Sequence, residues 1–285
     1  MYHRRNLRKL VLFLLTLPVY FFIFFPILWL LSASLSNQVD LYAIPMHWIP
    51  THPTLQNYLD IIFPNLAASS VPRTFAVSLL NSIKVASAVT IIAIVVGSLA
   101  AYALVRIPFK GSRNILLLFI ATRMVPEVSL ILPLFLLASR LQLINKPQVL
   151  IITYLSFCLP YAIWMLAAFF QTVPMELEDA ARIDGCSRLG ILFRVVMPIA
   201  VPGLVSTAMF TFLLAWDEFF YALIFTSTLA AKTMPVAMAE FVGRYATNTT
   251  GMMAGGIIAA LPPIILALVF QRYIISGMTA GAVKG

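Results

Sequence analysis

Six stretches of apolar residues, each about twenty residues or longer, alternate with short polar segments along this sequence. A helix of about 20 apolar residues crosses the hydrocarbon core of a bilayer, which is about 30 Å thick. Since 61% of the 285 residues are hydrophobic and only 10% are charged, we predict an all-α polytopic membrane protein. Its six predicted transmembrane helices cover residues 10–34, 76–104, 115–139, 148–171, 202–226 and 252–275.

The distribution of Lys and Arg predicts the orientation in the membrane. An even number of spans places both termini on one side, and cytoplasmic segments carry the excess of positive charge. An N-in, C-in topology puts twelve basic residues in cytoplasmic segments and five in external ones. The cytoplasmic set is Arg4, Arg5, Arg8, Lys9, Arg106, Lys110, Arg113, Arg182, Arg188, Arg194, Arg272 and Lys284, and the external set is Arg73, Arg140, Lys146, Lys232 and Arg244.

The sequence indicates a single transmembrane domain over residues 1–285. Its first apolar run is longer than the apolar region of a cleaved signal peptide, which has about 7–15 residues, and it has no clear small-residue cleavage site, so we interpret it as a retained span. The longest connection, residues 35–75, mixes Pro, polar and aromatic residues and is predicted to be an ordered external loop.

Several functional classes are excluded by composition. The net charge of +9 is spread over loops rather than gathered on one face, which does not indicate nucleic-acid binding. Neither Cys158 with Cys186 nor His47 with His52 has the spacing of a metal site. The sequence has no GxxxxGK[ST] phosphate loop, so ATP chemistry is not expected in this chain.

A dense charge cluster interrupts the apolar pattern between the fourth and fifth spans. We expect a short helix after Pro174, closed by Gly185 in a left-handed conformation. Ser187 is the predicted N-cap of a second helix, which ends near Pro198. The charged residues are Glu176, Glu178, Asp179, Arg182, Asp184, Arg188 and Arg194.

The second helix of this elbow (residues 174–198) is predicted to be amphipathic. An apolar stripe recurs at the i, i+3, i+4, i+7 positions of a helix, and it consists of Leu189, Leu192, Phe193 and Val196. Two interpretations remain open from the pattern. The stripe either lies on the bilayer surface beside a solvated loop, or it docks into a groove of a cytoplasmic partner.

The elbow also carries a family motif. It contains Asp179-Ala180-Ala181, then Gly185 after three residues, then Val195-x-Met197-Pro198 after nine more. This pattern resembles the EAA motif of ABC-importer permeases, which reads Glu-Ala-Ala, Gly and Ile-x-Leu-Pro at the same spacing. The sequence departs from it at three positions, with Asp for Glu, Val for Ile and Met for Leu.

Further segments extend the resemblance over nearly the whole chain. They are similar to the carbohydrate-uptake branch, in particular to the shorter permease subunit of maltose-type importers. The segments are TLQNYLDI, LLNSIKVA, AAYALVRIPFKG, AWDEFFYALIFTS, KTMPVA and the ending ISGMTAGAVKG.

The resemblance implies a type I ABC-importer permease fold and a non-catalytic role in the cell inner membrane. A second permease subunit completes the path through the lipid, two identical ATPase subunits hold ATP and Mg, and an external solute-binding protein delivers a sugar. Residues 76–275 then form the core permease helices, and the end of the chain reaches toward the ATPase. The ATPase-coupling residues implied are Glu178, Asp179, Ala180, Ala181, Asp184, Gly185, Leu189, Leu192, Phe193 and Pro198.

Charged and polar residues also fall inside predicted spans, where each must face a cavity or a partner. Arg123 and Glu127 are four residues apart and are expected to pair on one helical face, in a helix bent by Pro126 and Pro133. One interpretation is that such groups pair between helices. The other is a sugar path lined by aromatic faces and polar groups, with Asn81, Lys84, Arg123, Glu127, Trp216, Asp217, Glu218 and Tyr221 as its candidates.

Two other function classes were weighed. An ion-coupled secondary transporter would use Asp217, Glu218 and Glu127 as its relay, but such folds have internal repeats and more spans. An intramembrane enzyme would need a coherent catalytic set, and no His lies beside these acids within a span. The sugar stays open between a di- or oligosaccharide, a polyol and a glycerol-phosphate-type ligand.

Overall fold

Helices account for most of the structure, a computed structural model that describes residues 2–45, 47–63, 71–107, 109–244 and 248–282. No strand is assigned within these ranges. The helices of the first half are α1 (Tyr2–Ser34), α2 (Gln38–Leu41), α3 (Gln56–Ile62), α4 (Val71–Arg106), α5 (Ser112–Thr122), α6 (Glu127–Arg140) and α7 (Pro147–Gln171). Those of the second half are α8 (Met175–Ile183), α9 (Arg188–Ile191), a π-helical segment (Leu192–Val196), α10 (Met197–Ile199), α11 (Val201–Trp216), α12 (Phe220–Phe225), α13 (Met234–Arg244) and α14 (Thr249–Ala282).

Four helices are long and apolar enough to cross a membrane by themselves, namely α1, α4, α7 and α14. Two sharply bent helix pairs raise the number to six if each pair counts as one span. The axes of α5 and α6 differ by 91°, and the segment Arg188–Ile199 meets α11 at 83°. The all-α prediction is therefore confirmed, and the described residues provide between four and six possible spans against the six predicted.

The third predicted span is broken rather than bent. Val125 precedes Pro126, and a residue before proline is disfavoured in the helical region, so α5 ends at Thr122 and α6 starts at Glu127. Pro133, in contrast, lies inside α6. Arg123 and Glu127 do pair as expected, at 3.7 Å, but they pair across the break and not on the face of one helix.

The fifth predicted span is also discontinuous. α11 ends at Trp216, and α12 does not begin before Phe220. Asp217 and Glu218 therefore lie in a break between two helices and not midway along one helix. α14, by comparison, remains helical through Pro262 and Pro263.

The chain divides into two compact units, and the first comprises residues 1–76 and 238–261. Within it, Phe75 packs against Phe241 with ring centroids 5.2 Å apart, and also against Gly255, where a Cβ would lie 2.9 Å from the Phe75 ring. The most apolar part of α1, within residues 13–34, has no buried residue in the described structure. This helix thus exposes a continuous apolar surface.

The second unit comprises residues 77–237 and 262–285 and holds two hydrophobic cores. The first core surrounds the breaks in the third and fifth spans and includes Tyr154, Phe157 and Phe225. The second core lies under the elbow, where Leu166 and Phe170 of α7 pack against residues that follow α9. These two cores position the two candidate sites.

The contact between α11 and α7 depends on Gly203. A Cβ at this position would lie 2.2 Å from Cγ of Phe169, so alanine requires the ring to move. We expect Gly203→Ala to lower the free energy of unfolding by about 1–3 kcal/mol. A lower Tm of the purified protein in detergent would measure this loss.

Gly97→Ala provides the matched control, because it adds the same methyl group to another span helix. Its Cβ would meet the nearest atom, on Leu166, at 3.4 Å, an ordinary contact. We expect a change within about 0.5 kcal/mol. Equal Tm values for the two variants would mean that Phe169 moves aside freely and that Gly203 is not required for packing.

Candidate functional site

The elbow has the local structure that its residues predict. α8 begins directly after Pro174, and Gly185 ends the first helix with φ +82°, a conformation that favours glycine. The Ser187 side chain accepts a hydrogen bond from the Gly190 N–H at 3.2 Å, so Ser187 is an N-cap as predicted. The helix–glycine–helix arrangement is confirmed.

The apolar stripe of the second elbow helix is split into a buried and an exposed pair. Leu192 and Val196 are fully buried against α4 and α7, whereas Leu189 is 59% and Phe193 54% exposed. The helix changes from α to π geometry at Leu192, which rotates the later side chains relative to a regular α-helix. The predicted single stripe is therefore wrong in register.

The predicted coupling residues divide in the same way. Glu178 and Leu192 are buried inside the chain, which leaves them no surface for a partner, and this corrects their assignment to a docking face. Ala181 is half-buried. The others are exposed, namely Asp179, Ala180, Asp184, Gly185, Leu189, Phe193 and Pro198.

Two exposed apolar residues of the elbow were missed by the sequence analysis. Ile183, the last residue of α8, is 87% exposed, and Leu177 on the same helix is about half-exposed. The signal was present, because Ile183 is an apolar residue in an otherwise charged turn before Gly185. Together Leu177, Ile183, Leu189 and Phe193 form what we call the elbow face.

The second candidate site is an intramembrane cleft beside the two helix breaks. It consists of two cavities of about 320 and 290 Å³, which share Glu127 and Phe157. The larger is lined by Glu127, Phe157, Phe210, Leu213, Leu214, Asp217, Glu218, Phe219 and Phe220. The smaller is lined by Thr122, Arg123, Val125, Glu127, Leu130, Ser156, Phe157 and Tyr221.

Charge in the cleft is partly paired. Arg123 Nη1 lies 3.7 Å from Glu127 Oε1, and its guanidinium group lies 5.9 Å from the centre of the Phe157 ring. The Glu127 carboxylate remains about half-exposed in this pair, and Asp217 is also exposed. Two carboxylates and a guanidinium group are thus available to hydrogen-bond a polar ligand among aromatic walls.

The carboxylate of Glu218 accepts hydrogen bonds from the backbone of α12. Its Oε1 accepts from the Tyr221 N–H at 2.8 Å and its Oε2 from the Ala222 N–H at 3.2 Å, which caps the start of α12. Tyr221 stacks on Phe157 and donates its hydroxyl hydrogen to the Glu127 carbonyl at 3.3 Å. Glu218 and Tyr221 therefore join the two breaks.

The remaining candidates for the path lie in the packed interior or elsewhere on α4. Trp216 is buried and stacks on Phe212. Asn81 is buried and donates to the carbonyls of Leu229 and Lys232, whereas Lys84 is exposed. The described lining of the two cavities includes none of these three residues.

Phe157 and Ser156 contribute to the cleft but were not singled out from the sequence. They lie in a continuous apolar helix, where one more Phe or Ser carries no signal of its own. Among the described residues, no group of three or more His, Cys, Asp and Glu side chains is placed to hold a metal ion. The site accordingly offers hydrogen-bonding and stacking groups rather than metal ligands.

Comparison with known families gives one match that covers most of the helices. Residues 93–280 match the model of the binding-protein-dependent transport system inner membrane component. This range includes both the elbow and the cleft.

Curated relatives are similar over nearly their full length. The chain is 40% identical to the sulfoquinovosyl glycerol transport system permease protein SmoH of Agrobacterium fabrum, over 92% of this chain and 89% of the relative. It is 37% identical to the trehalose/maltose transport system permease protein MalG of Thermococcus litoralis, over 92% of this chain and 91% of the relative. It is 38% identical to the trehalose transport system permease protein SugB of Mycobacterium tuberculosis, over 91% of this chain and 92% of the relative.

Solved structures share the fold. A chain of a bacterial ABC transporter involved in the import of alginate superposes with a TM-score of 0.75 at 21% identity, covering 94% of this chain and 97% of that one. A chain of the MetNI methionine ABC transporter gives a TM-score of 0.60 at 15% identity, covering 74% of this chain and 99% of that one. At these identities the likeness concerns the fold alone.

Proposed function

The chain belongs to the family of binding-protein-dependent transport system inner membrane components, and from this premise we propose that it is one permease subunit of an ATP-driven sugar importer. It is a multi-pass inner-membrane protein, and in this family ATP hydrolysis belongs to a separate subunit. The observation that carries the proposal is the elbow, which packs on a hydrophobic core and exposes the four apolar side chains of the elbow face. A sugar substrate is supported by the relatives, which are named as permeases of transport systems for sulfoquinovosyl glycerol, trehalose and maltose.

The elbow face is the proposed binding surface for the ATPase. Its large apolar side chains provide the burial that anchors a helix in a groove. Asp179 and Asp184 lie exposed on the same elbow and provide polar contacts that set the register. ATP and Mg bind to the ATPase subunits in this arrangement, and this chain holds no cofactor.

The intramembrane cleft is the proposed sugar path on this subunit. Phe219 and Phe220 offer aromatic surfaces for sugar rings, and Asp217 and Glu127 accept hydrogen bonds from hydroxyl groups. Neutral sugars suit this lining because they present many hydroxyl donors. We propose a di- or oligosaccharide or a polyol as the substrate, with the other half of the path supplied by the second permease.

The remaining partners follow from exposure and charge. The uncovered apolar surface of α1 supports a contact with lipid and with the second permease subunit. We place both termini and the elbow in the cytoplasm, following the excess of Lys and Arg there. Residues 35–75 then face outward, where a solute-binding protein delivers the sugar, and two ATPase copies lie below the permease pair.

Ion coupling is not retained as a second function. Glu218, the central member of that relay, has both carboxylate oxygens engaged by backbone N–H groups of α12. A relay residue has to exchange protons or ions, whereas both oxygens of this carboxylate are already used to cap a helix. Family membership also favours a separate ATPase subunit as the energy source.

Reconstitution tests the proposal directly. The permease pair, its ATPase and its binding protein are assembled in liposomes, and uptake of labelled trehalose and maltose is measured. We expect uptake that requires ATP on the ATPase side together with the binding protein. Uptake driven by a proton gradient without ATP would overturn the proposal.

Asp217 and Glu218 provide an internal test of the cleft, since adjacent carboxylates are placed in opposite roles. In the assembled importer, Asp217→Asn is expected to slow uptake at limiting sugar about tenfold, the loss of about 1.4 kcal/mol from one charge-assisted hydrogen bond. The Tm is expected to stay unchanged because Asp217 is exposed.

Glu218→Gln is the matched control. Its amide retains one acceptor for the two N–H groups at the start of α12, so we expect it to lose about 1–2 kcal/mol of stability. Uptake per folded molecule should stay close to that of the unmodified importer. A normal uptake rate for Asp217→Asn would remove this carboxylate from the sugar path.

A further inference from the structure

A buried cluster centred on Arg106 joins the elbow to two membrane spans. Arg106 is the last residue of α4, and its side chain is only 8% exposed. Its Nη2 donates to the carbonyls of Phe170 and Val173, at the end of α7 and just beyond it. The last carbonyls of a helix have no partner within the helix and carry its negative dipole end, so a guanidinium group satisfies both their hydrogen bonding and their charge.

The same guanidinium group holds the first turn of the elbow. Arg106 Nε lies 2.7 Å from Oε1 of Glu178, a residue that is 1% exposed. The other carboxylate oxygen of Glu178 accepts from the Tyr102 hydroxyl at 3.2 Å, and Arg106 Nη1 contacts Sδ of Met175 at 2.8 Å. Tyr102 and Arg106 lie one helical turn apart on α4. Two side chains of α4 therefore contact Glu178 of α8.

The elbow contains a second acidic–basic pair with a different setting. Arg182 and Asp179 pair within α8 at 2.9 Å, but both side chains are more than half exposed. Such a surface pair is screened by water and joins a helix only to itself. The Arg106–Glu178 pair, in contrast, is almost fully buried, connects residues 72 positions apart in sequence, and spans the junction where α7 turns into the elbow.

We propose that the Arg106–Glu178 pair, supported by Tyr102, is the joint that makes the elbow move together with α4 and α7, so that displacement of the elbow by the ATPase reaches the intramembrane cleft. The inference rests on the proposed function, because it assumes that the ATPase displaces the elbow. It assigns Arg106 and Glu178 as positioning residues that touch neither ATP nor sugar. A buried pair suits this role because separating the two charges would leave each of them buried without a partner.

The experiment measures whether a nucleotide-driven change reaches the cleft. Ser156, which is exposed in the smaller cavity, is replaced in a Cys186→Ser background, and the maleimide labelling rate of Ser156→Cys is followed in the assembled complex. Trapping with ATP and vanadate is expected to change this rate. Coupling between sites of the usual strength corresponds to a change of about 5- to 150-fold.

Glu178→Gln is expected to keep the ATPase bound and hydrolysing ATP while the nucleotide-driven change in labelling is lost. Arg106→Lys keeps the charge but not the planar group that reaches Glu178 and the two carbonyls at the same time, so it should retain part of the change. Gly203→Ala is the control for stability, since it weakens the contact between α11 and α7 without touching the joint. We expect it to show the same nucleotide-driven change in labelling rate as the unmodified complex.

The outcomes separate the joint from the proposed function. If the unmodified chain failed to bind an ATPase, the proposed function itself would fail. If Glu178→Gln kept the full labelling change, or lost it only to the extent that Gly203→Ala does, the pair would be a stabilising contact and not a joint. Loss of ATPase binding in Glu178→Gln would also overturn the inference, because the pair would then shape the docking surface. If Glu178→Gln does not accumulate, Tyr102→Phe removes a single hydrogen bond of the cluster and is read by the same criteria.

Discussion

Phe193→Asp is expected to detach the ATPase while the chain still folds and inserts. Phe193 is about half-exposed on the elbow face, so aspartate there creates no buried charge in the chain itself. It does place a charge in the apolar contact with the partner. Losing one large apolar anchor at the centre of an interface costs about 2 kcal/mol or more, which weakens binding about thirtyfold or more.

Co-purification of the ATPase with the tagged permease pair measures this effect, and a titration supplies the change in Kd. Ile183→Asp should act in the same direction, because Ile183 is the most exposed residue of the elbow face. Phe109→Asp is the matched control, since Phe109 is also partly exposed and lies in the loop before α5. An unchanged Kd for both Phe193→Asp and Ile183→Asp would show that the ATPase does not bind at the elbow face.

Leu192→Asp is expected to prevent folding altogether, although Leu192 is the immediate neighbour of Phe193. Its side chain is 0% exposed and packs in the core under the elbow with Phe170 and Val196. A carboxylate in that core has no partner, and such substitutions cost more than about 4 kcal/mol, a large fraction of the stability of a protein. We therefore expect the variant not to accumulate in the membrane.

Membrane fractions probed for the tagged chain measure accumulation, and Leu192→Met is the control. Methionine conserves the volume of leucine and should cost less than about 1.5 kcal/mol, so that variant should accumulate and bind the ATPase. A Leu192→Asp protein that accumulates normally and fails only in ATPase binding would place Leu192 at the partner interface. It would thereby contradict the packing of the second core.

Local structure in the elbow could be predicted because it depends on neighbours in sequence. Gly185 takes the left-handed conformation that closes α8, and Ser187 caps the helix that follows. Both results follow from backbone sterics and hydrogen bonding within four residues. The motif spacing that begins at Asp179 likewise led to the family, which the comparison over residues 93–280 confirms.

The cleft was predicted only in part, for a physical reason that concerns distance along the chain. Asp217 and Glu218 are adjacent and identical in charge, yet one is exposed and the other caps α12. The role of Glu218 depends on which way the backbone turns after Trp216, and composition does not specify that turn. Phe157 was missed because its partners Arg123 and Tyr221 come from other helices.

The apolar runs alone determined that this chain crosses a membrane as helices, since each run must satisfy its backbone hydrogen bonds internally in lipid. The tertiary structure alone decided which residues of those helices face outward. A period of 3.6 residues assigns Leu192 and Phe193 to one stripe, but the π-helical turn and the surface of α7 bury the first and expose the second. From the sequence, Glu178 belongs to a charged surface. In the structure, its Oε1 lies 2.7 Å from Nε of Arg106, a residue 72 positions earlier, and the pair is buried. Burial and pairing depend on such distant contacts, which a local pattern does not contain.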